Sequence, residues 1–122
     1  MSQTELKDLL GPDVEVLPYG STAIFGDGED LDYLVWAPDT WKVLSTLQLH
    51  GYIPDCAPGY DASDFTSVRK GSVNVIVCSS KEWYNKSAYA CAVCKCMASA
   101  GWLSPSNKRH RVAIHEAIRG EL

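Results

Sequence analysis

The sequence predicts a mixed α/β (α+β) domain, a small mixed β-sheet with flanking helices, on three observations. The 122-residue, 13.4 kDa chain is 46% apolar and 21% charged, an ordinary balance for one hydrophobic core and unlike a disordered chain. Its apolar runs are short and bounded by turn residues, as the strands of a small sheet are. Capped stretches of helical periodicity lie between and after them. No repeat, linker or low-complexity tract divides the chain, so one domain over residues 1–122 is expected.

The elements follow in order. Thr4 to Leu10 reads as a short helix with Thr4 as its cap and Gly11-Pro12 as its stop. Val14 to Leu17 reads as a strand leading into a turn at Tyr19-Gly20-Ser21, where a short helix or helical turn is expected to begin. A glycine-punctuated loop runs from Phe25 to Asp30. Leu31 to Trp36 alternates with Asp32 and then turns wholly apolar, as a central strand does. Asp39 caps a helix to about His50, with Trp41, Leu44 and Leu47 at three-residue steps and Gly51 as its end. After a polar loop with Pro54, Pro58 and Gly59, Phe65–Arg69 and Val73–Val77 form a hairpin around Lys70-Gly71-Ser72. Ser79 or Ser80 caps a long helix through Ala100, and a last helix runs from about Ser104-Pro105-Ser106 to Gly120. The predicted order is α-β-β-α-β-β-α-α.

Composition narrows the function classes. No apolar run is long enough to cross a bilayer, and the first residues lack the basic-then-apolar order of a signal peptide. A soluble, cytoplasmic protein is therefore expected, and its five cysteines are expected to be thiols. The formal charge of −4 hides an asymmetry. Residues 1–65 carry twelve acids and two bases, whereas residues 66–122 carry three acids and nine bases. Such a division suits a site with metal ions on one wall and phosphates on the other, and equally an ordinary segregation of surface charge.

The most informative stretch is Gly20-Ser21 followed by Asp30-Leu31-Asp32 and the apolar run Tyr33 to Trp36. Two carboxylates at i and i+2 of a strand face the same way and repel each other unless a cation sits between them. Hard oxygen ligands of this kind suit Mg²⁺, which takes one or two carboxylates and completes its shell with water and substrate phosphates. Glycine lets backbone approach a phosphate closely, and Ser21 adds a hydroxyl and an N–H.

This arrangement resembles the nucleotidyltransferase superfamily, the fold of polymerase-beta-like enzymes, in which a strand leads into Gly-Ser and, about ten residues on, Asp-x-Asp lies in an apolar strand. The segment Phe65 to Val77 and the helical tail Trp83 to Gly120 are similar to those of small phage-encoded members, so the resemblance covers roughly residues 14–120. It implies a minimal nucleotidyltransferase fold, with Asp30 and Asp32 as metal ligands for Mg²⁺, up to two ions, and Gly20 and Ser21 as the cradle of a nucleoside triphosphate. The third carboxylate usual in the superfamily falls at Asn74. An amide there brings no charge and takes no proton, so nucleotide binding is expected to survive better than transfer. Asp61 or Asp64 could compensate from the preceding loop.

Arg69 and Lys70, beside the strand of Asn74, are the candidates to meet phosphate oxygens. Lys108-Arg109-His110-Arg111 forms a basic cluster suited to nucleic acid or a nucleotide tail. Cys91 and Cys94 sit in an alanine-rich helical run rather than in a turn, so they are expected to pack as small core residues rather than bind zinc with His110 and His115. His115 reads as a buried or boundary residue. Trp41, Trp83 and Trp102 read as core or boundary anchors, and Tyr52 and Tyr60 as rings able to stack on a base.

The function implied is Mg²⁺-dependent binding of a nucleoside triphosphate and transfer of its monophosphate to a hydroxyl acceptor of unknown class. The acceptor is expected to be held by a partner or at a homodimer interface, in the host cytoplasm if the chain is phage-encoded. The alternative is a catalytically inactive module of the same fold that binds a host protein or nucleic acid.

Overall fold

A computed structural model of the chain describes residues 1–26, 30–55 and 64–122. Helix α1 (Gln3–Leu10) is followed by β1 (Glu15–Tyr19), the six-residue helix α2 (Gly20–Phe25), β2 (Leu31–Trp36) and α3 (Thr40–Leu49). Then come β3 (Ile53–Pro54), β4 (Phe65–Lys70), β5 (Val73–Cys78), α4 (Lys81–Ser99) and α5 (Lys108–Glu121). The five strands form one sheet in the order β1-β2-β5-β4-β3. Strands β2 and β5 are parallel, and every other pair is antiparallel. The mixed sheet and flanking helices are those the sequence predicts.

Alternation divides the sheet into two faces. One face buries Val16, Tyr33, Val35, Val68, Val75 and Val77 against Leu6 of α1 and Val43 and Leu47 of α3. The other buries Leu34 and Cys78 under Tyr84 of α4. A third cluster joins Ile24 of α2 to Cys91 and Cys94 of α4, with Ile114 and Ile118 of α5 packed against it. Helix α5 therefore reaches the molecule through α4 and α2, leaving a gap over the β4–β5 end of that face. Cys91 and Cys94 behave as small core residues: burial pushes their thiols up, away from the thiolate a metal needs.

Several local expectations are corrected. The cap of α1 is Ser2, whose hydroxyl accepts from the Glu5 amide at 3.1 Å, so Thr4 lies inside the helix. Asn107 caps α5 by accepting from the His110 amide, three residues beyond the serine-proline start. Of the two serines expected at the start of α4, Ser80 is the cap, as the sequence allowed. Strand β3, within the segment read as a loop, lengthens the sheet by one edge. Tyr52 is buried in the α3-side core and unable to stack on a base, while Trp41 and Trp102 are 78% and 71% exposed rather than anchors. Cys56, Pro58, Gly59, Tyr60 and Asp61 lie outside the described residues. No helix among the described residues is long and apolar enough to cross a membrane.

Helix α3 offers a direct test of this burial pattern. Leu47→Ala, which empties a fully buried position, should lower stability by about 2–5 kcal/mol, whereas Trp41→Ala on the same helix should change it by less than about 0.5 kcal/mol. Urea unfolding of the two variants checks both values.

Candidate functional site

Strand register builds the site. The parallel pairing of β2 with β5 sets Asp32 beside Asn74, and the antiparallel pairing of β4 with β5 sets Arg69 on the far side of Asn74. On the near side, β1 brings Tyr19 opposite Asp32. Tyr19, Asp32, Asn74 and Arg69 thus form one row across four strands, about 4.8 Å from each to the next. They share a face, and that face is the floor of a cleft of about 520 Å³.

The chain turns from β1 into α2 at this row. Gly20 has a φ of +70°, and a Cβ there would stand 2.5 Å from Asp32 Oδ2. Only glycine permits both the left-handed backbone and this approach, so the opening of α2 lies directly against a carboxylate. Ser21 follows on the cleft wall. The Thr22 hydroxyl donates to the Asp30 carbonyl at 2.6 Å, fastening the start of β2 to α2.

Asp30 and Asp32 both line the cleft, as the sequence predicts, but their surroundings differ. Burial raises the pKa of Asp32, and the charge of Asp30 adds to the rise; the Asn74 amide, Arg69 and Arg111 oppose it. Asp30 is half-exposed and pairs with Arg69, Oδ1 to Nη1 at 3.3 Å. Arg69 also donates from Nε to Asp55 Oδ2 at 2.7 Å. Asn74 faces the cleft with its Oδ1 already accepting the Ser67 hydroxyl at 2.7 Å. Its amide oxygen is engaged by a neighbour, and its NH₂ is the half left to serve Asp32.

Two expected contributors fall elsewhere. Lys70, one residue beyond Arg69, points from the opposite face and donates to the His50 carbonyl at 2.8 Å, away from the cleft. Asp64 is exposed and meets β5 through its backbone carbonyl, which accepts from the Ser79 amide. Among the described residues, Asp55, which follows β3, is a loop acid that reaches the cleft; the sequence offered no sign of it because β3 is only two residues long.

Helix α5 supplies the facing wall. Lys108, Arg111, His115 and Arg119 fall at three- and four-residue steps and all border the cleft. The helical spacing of these residues was legible, but which side of the helix meets the sheet was not. His115 Nε2 lies 2.9 Å from the Tyr19 hydroxyl, with the rings edge to face at 5.3 Å. Burial, helped by Arg119 and Arg111, brings the His115 pKa down to about 4, so the imidazole is neutral and shares a hydrogen bond with the tyrosine hydroxyl, while burial drives the Tyr19 pKa up. At the far end of the cleft Phe65 stacks on Trp83 at 5.1 Å, and the Arg119 guanidinium lies over the same indole at 4.8 Å.

The electrostatics are those of a divided cleft. Asp30, Asp32 and Asp55 outnumber Arg69 on the sheet side, and Lys108, Arg111 and Arg119 outnumber Glu116 on the helix side. Among the described residues, no three His, Cys, Asp or Glu side chains converge as a closed metal cage. The two carboxylates Asp30 and Asp32 fit an ion that draws its remaining ligands from water and phosphate.

The chain is similar in structure to the conserved protein GrpB from Enterococcus faecalis, with a TM-score of 0.59 over 97% of this chain and 88% of that one. The two share a fold. At 17% identity the likeness extends to the fold alone. No family model matches the chain, and neither does any curated protein.

Two outcomes are expected. Gly20→Ala should destabilise the protein, and part of that loss should disappear in an Asp32→Ala background, a coupling of about 0.5–3 kcal/mol in a double-mutant cycle. Separately, the neutral His115 stabilises the fold above the ordinary histidine pKa of 6.5, and that stability drains away as pH falls from 6.5 toward 4, where the unfolded chain binds the extra proton. The slope, at most about 1.4 kcal/mol per pH unit, should flatten in His115→Gln when urea midpoints are followed across that window.

Proposed function

We propose that the protein is a nucleotidyltransferase-like nucleotide-binding protein whose cleft takes a nucleoside triphosphate with Mg²⁺ and transfers the monophosphate slowly to a hydroxyl acceptor. One observation carries this reading: the close approach of the Gly20-Ser21 helix start to Asp32, which joins a phosphate cradle to a carboxylate in a single row. The divided charge of the cleft and its size support it, since 520 Å³ suits a ligand of nucleotide dimensions.

Each residue has a task on this reading. Ser21 and the backbone amides that open α2 donate to phosphate oxygens. Arg69, Lys108 and Arg111 attract and orient the charged tail. Asp30 and Asp32 hold the ion, which supplies Lewis-acid polarisation of the phosphate and lowers the pKa of the attacking hydroxyl when bound. The acceptor oxygen bonds to the α-phosphorus as the bond to the β-phosphate oxygen breaks; pyrophosphate leaves and the hydroxyl proton passes to water. Asn74 neither takes that proton nor adds charge, which makes the chemical step slow while leaving binding intact.

A second reading keeps the fold and drops the chemistry. The bond from the Ser67 hydroxyl to Asn74 Oδ1 favours it, because the oxygen at the third ligand position is uncharged and already occupied on one lone pair. The basic α5 stripe would in that case serve contact with a protein or nucleic acid.

Charge substitutions separate the two. Asp30→Asn combined with Asp32→Asn should abolish divalent-dependent triphosphate binding while leaving the fold as stable or more so, since Asp32 loses its ionised, desolvated form. Asn74→Asp should tighten Mn²⁺ and raise pyrophosphate release about tenfold, the effect of 1.4 kcal/mol. Isothermal titration with Mn²⁺ and a non-hydrolysable triphosphate reads binding, and labelled-nucleotide transfer reads chemistry. Unchanged binding in the double variant together with no effect of Asn74→Asp would leave only the second reading.

A further inference from the structure

The cleft has a length as well as a charged end. Along β4, Arg69, Ser67 and Phe65 face it at alternate positions, which puts Phe65 about 13 Å from the row of Asp32 and Asn74. Helix α5 shows the same interval. Arg111 is near enough to Asp32 to oppose the rise in its pKa, and Arg119, about 12 Å further along the helix, lies over Trp83. At one end stand Asp30, Asp32 and Arg69, and at the other the stacked rings of Phe65 and Trp83. Between them the floor is Ser67 and Ile76, cross-strand partners that carry no charge.

The aromatic end has nothing to offer a phosphate but much to offer a flat ring. Trp83 is only partly buried, and the group that covers its indole, at 4.8 Å, is the Arg119 guanidinium. Among the described residues no acid pairs with Arg119, nor with Lys108 or Arg111 on the same wall. A cation–π contact at a partly exposed site is weak, so a larger planar ring displaces the guanidinium readily. Every nucleobase presents such a face, and a purine covers more of an indole than a pyrimidine does. The distance from these rings to the charged row is the reach of one extended nucleotide, from base to triphosphate.

We propose that Trp83, backed by Phe65, is the seat of the nucleobase: one nucleotide lies lengthwise in the cleft, its phosphates at the Gly20-Ser21 turn and its base over the indole in place of the Arg119 guanidinium, and purines are preferred by stacking area. This rests on the triphosphate binding proposed above and supplies the other half of that substrate. Selection by stacking separates purines from pyrimidines and tolerates either purine.

Calorimetric titration of the whole protein in Mn²⁺ with three ligands tests this: a non-hydrolysable purine triphosphate, its pyrimidine counterpart and inorganic tripolyphosphate. The wild-type protein should bind the purine triphosphate about tenfold or more tighter than tripolyphosphate, with the pyrimidine between them. Trp83→Leu should remove that advantage and leave tripolyphosphate binding unchanged, while Trp83→Phe should keep most of it; circular dichroism checks that both variants fold. Arg119→Gln, which uncovers the indole, should keep the advantage. Equal affinity of the wild-type protein for the purine triphosphate and tripolyphosphate overturns the base seat while the phosphate site stands, and this comparison needs no variant. An advantage that Trp83→Leu retains, or that Arg119→Gln abolishes, overturns it as well. Failure of all three ligands to bind overturns the nucleotide reading itself, and the base seat with it.

Discussion

Everything at the cleft depends on the parallel pairing of β2 with β5. A parallel neighbour requires a crossover, and here α3, β3 and β4 all lie between the two strands in sequence. Their pairing sets Asp32 beside Asn74, and through β4 it brings Arg69 into the same row. A slip of one residue would turn Asp32 and Asn74 into the α3-side core and expose Tyr33 and Val75. The burial of Tyr33, Val35, Val75 and Val77 on that side is therefore what fixes the register, and so aims the polar residues of the opposite face.

That face combines features that a folding protein ordinarily avoids. Asp32 is partly desolvated beside a second carboxylate, and the chain approaches it at a glycine in left-handed conformation. Neither helps stability, and both are sustained by the core behind the sheet. The Asn74 amide and the Arg69 charge offset part of the strain on Asp32 without neutralising it.

Much of this was legible in the residues. Short apolar runs revealed four of the five strands, and β2 was read to the residue because Leu31 to Trp36 is bounded by a loop and a proline. Asp30, Asp32, Gly20, Ser21, Asn74 and Arg69 were all named, and all line the cleft. What escaped has identifiable causes. Lys70 was grouped with Arg69 as a neighbour in sequence, although adjacent strand residues face opposite ways. Periodicity marked Trp41 as apolar but did not tell which side of α3 meets the sheet, a matter decided by Val43 and Leu47. Asp55 and the cleft-facing side of α5 depend on tertiary placement, for which no local pattern exists.

The docking of α5 through Ile114 and Ile118 has a consequence for the order in which the protein becomes itself. A chain is made from its N-terminus, so the acidic half, with twelve acids and two bases, emerges before the basic one. Until β4, β5 and α5 follow, Asp30 and Asp32 have neither Arg69 nor the cations of α5 beside them. During synthesis the nascent segment is thus a concentrated anion awaiting its own counter-charge, and the cleft acquires its polarity at the last helix rather than at the first strand.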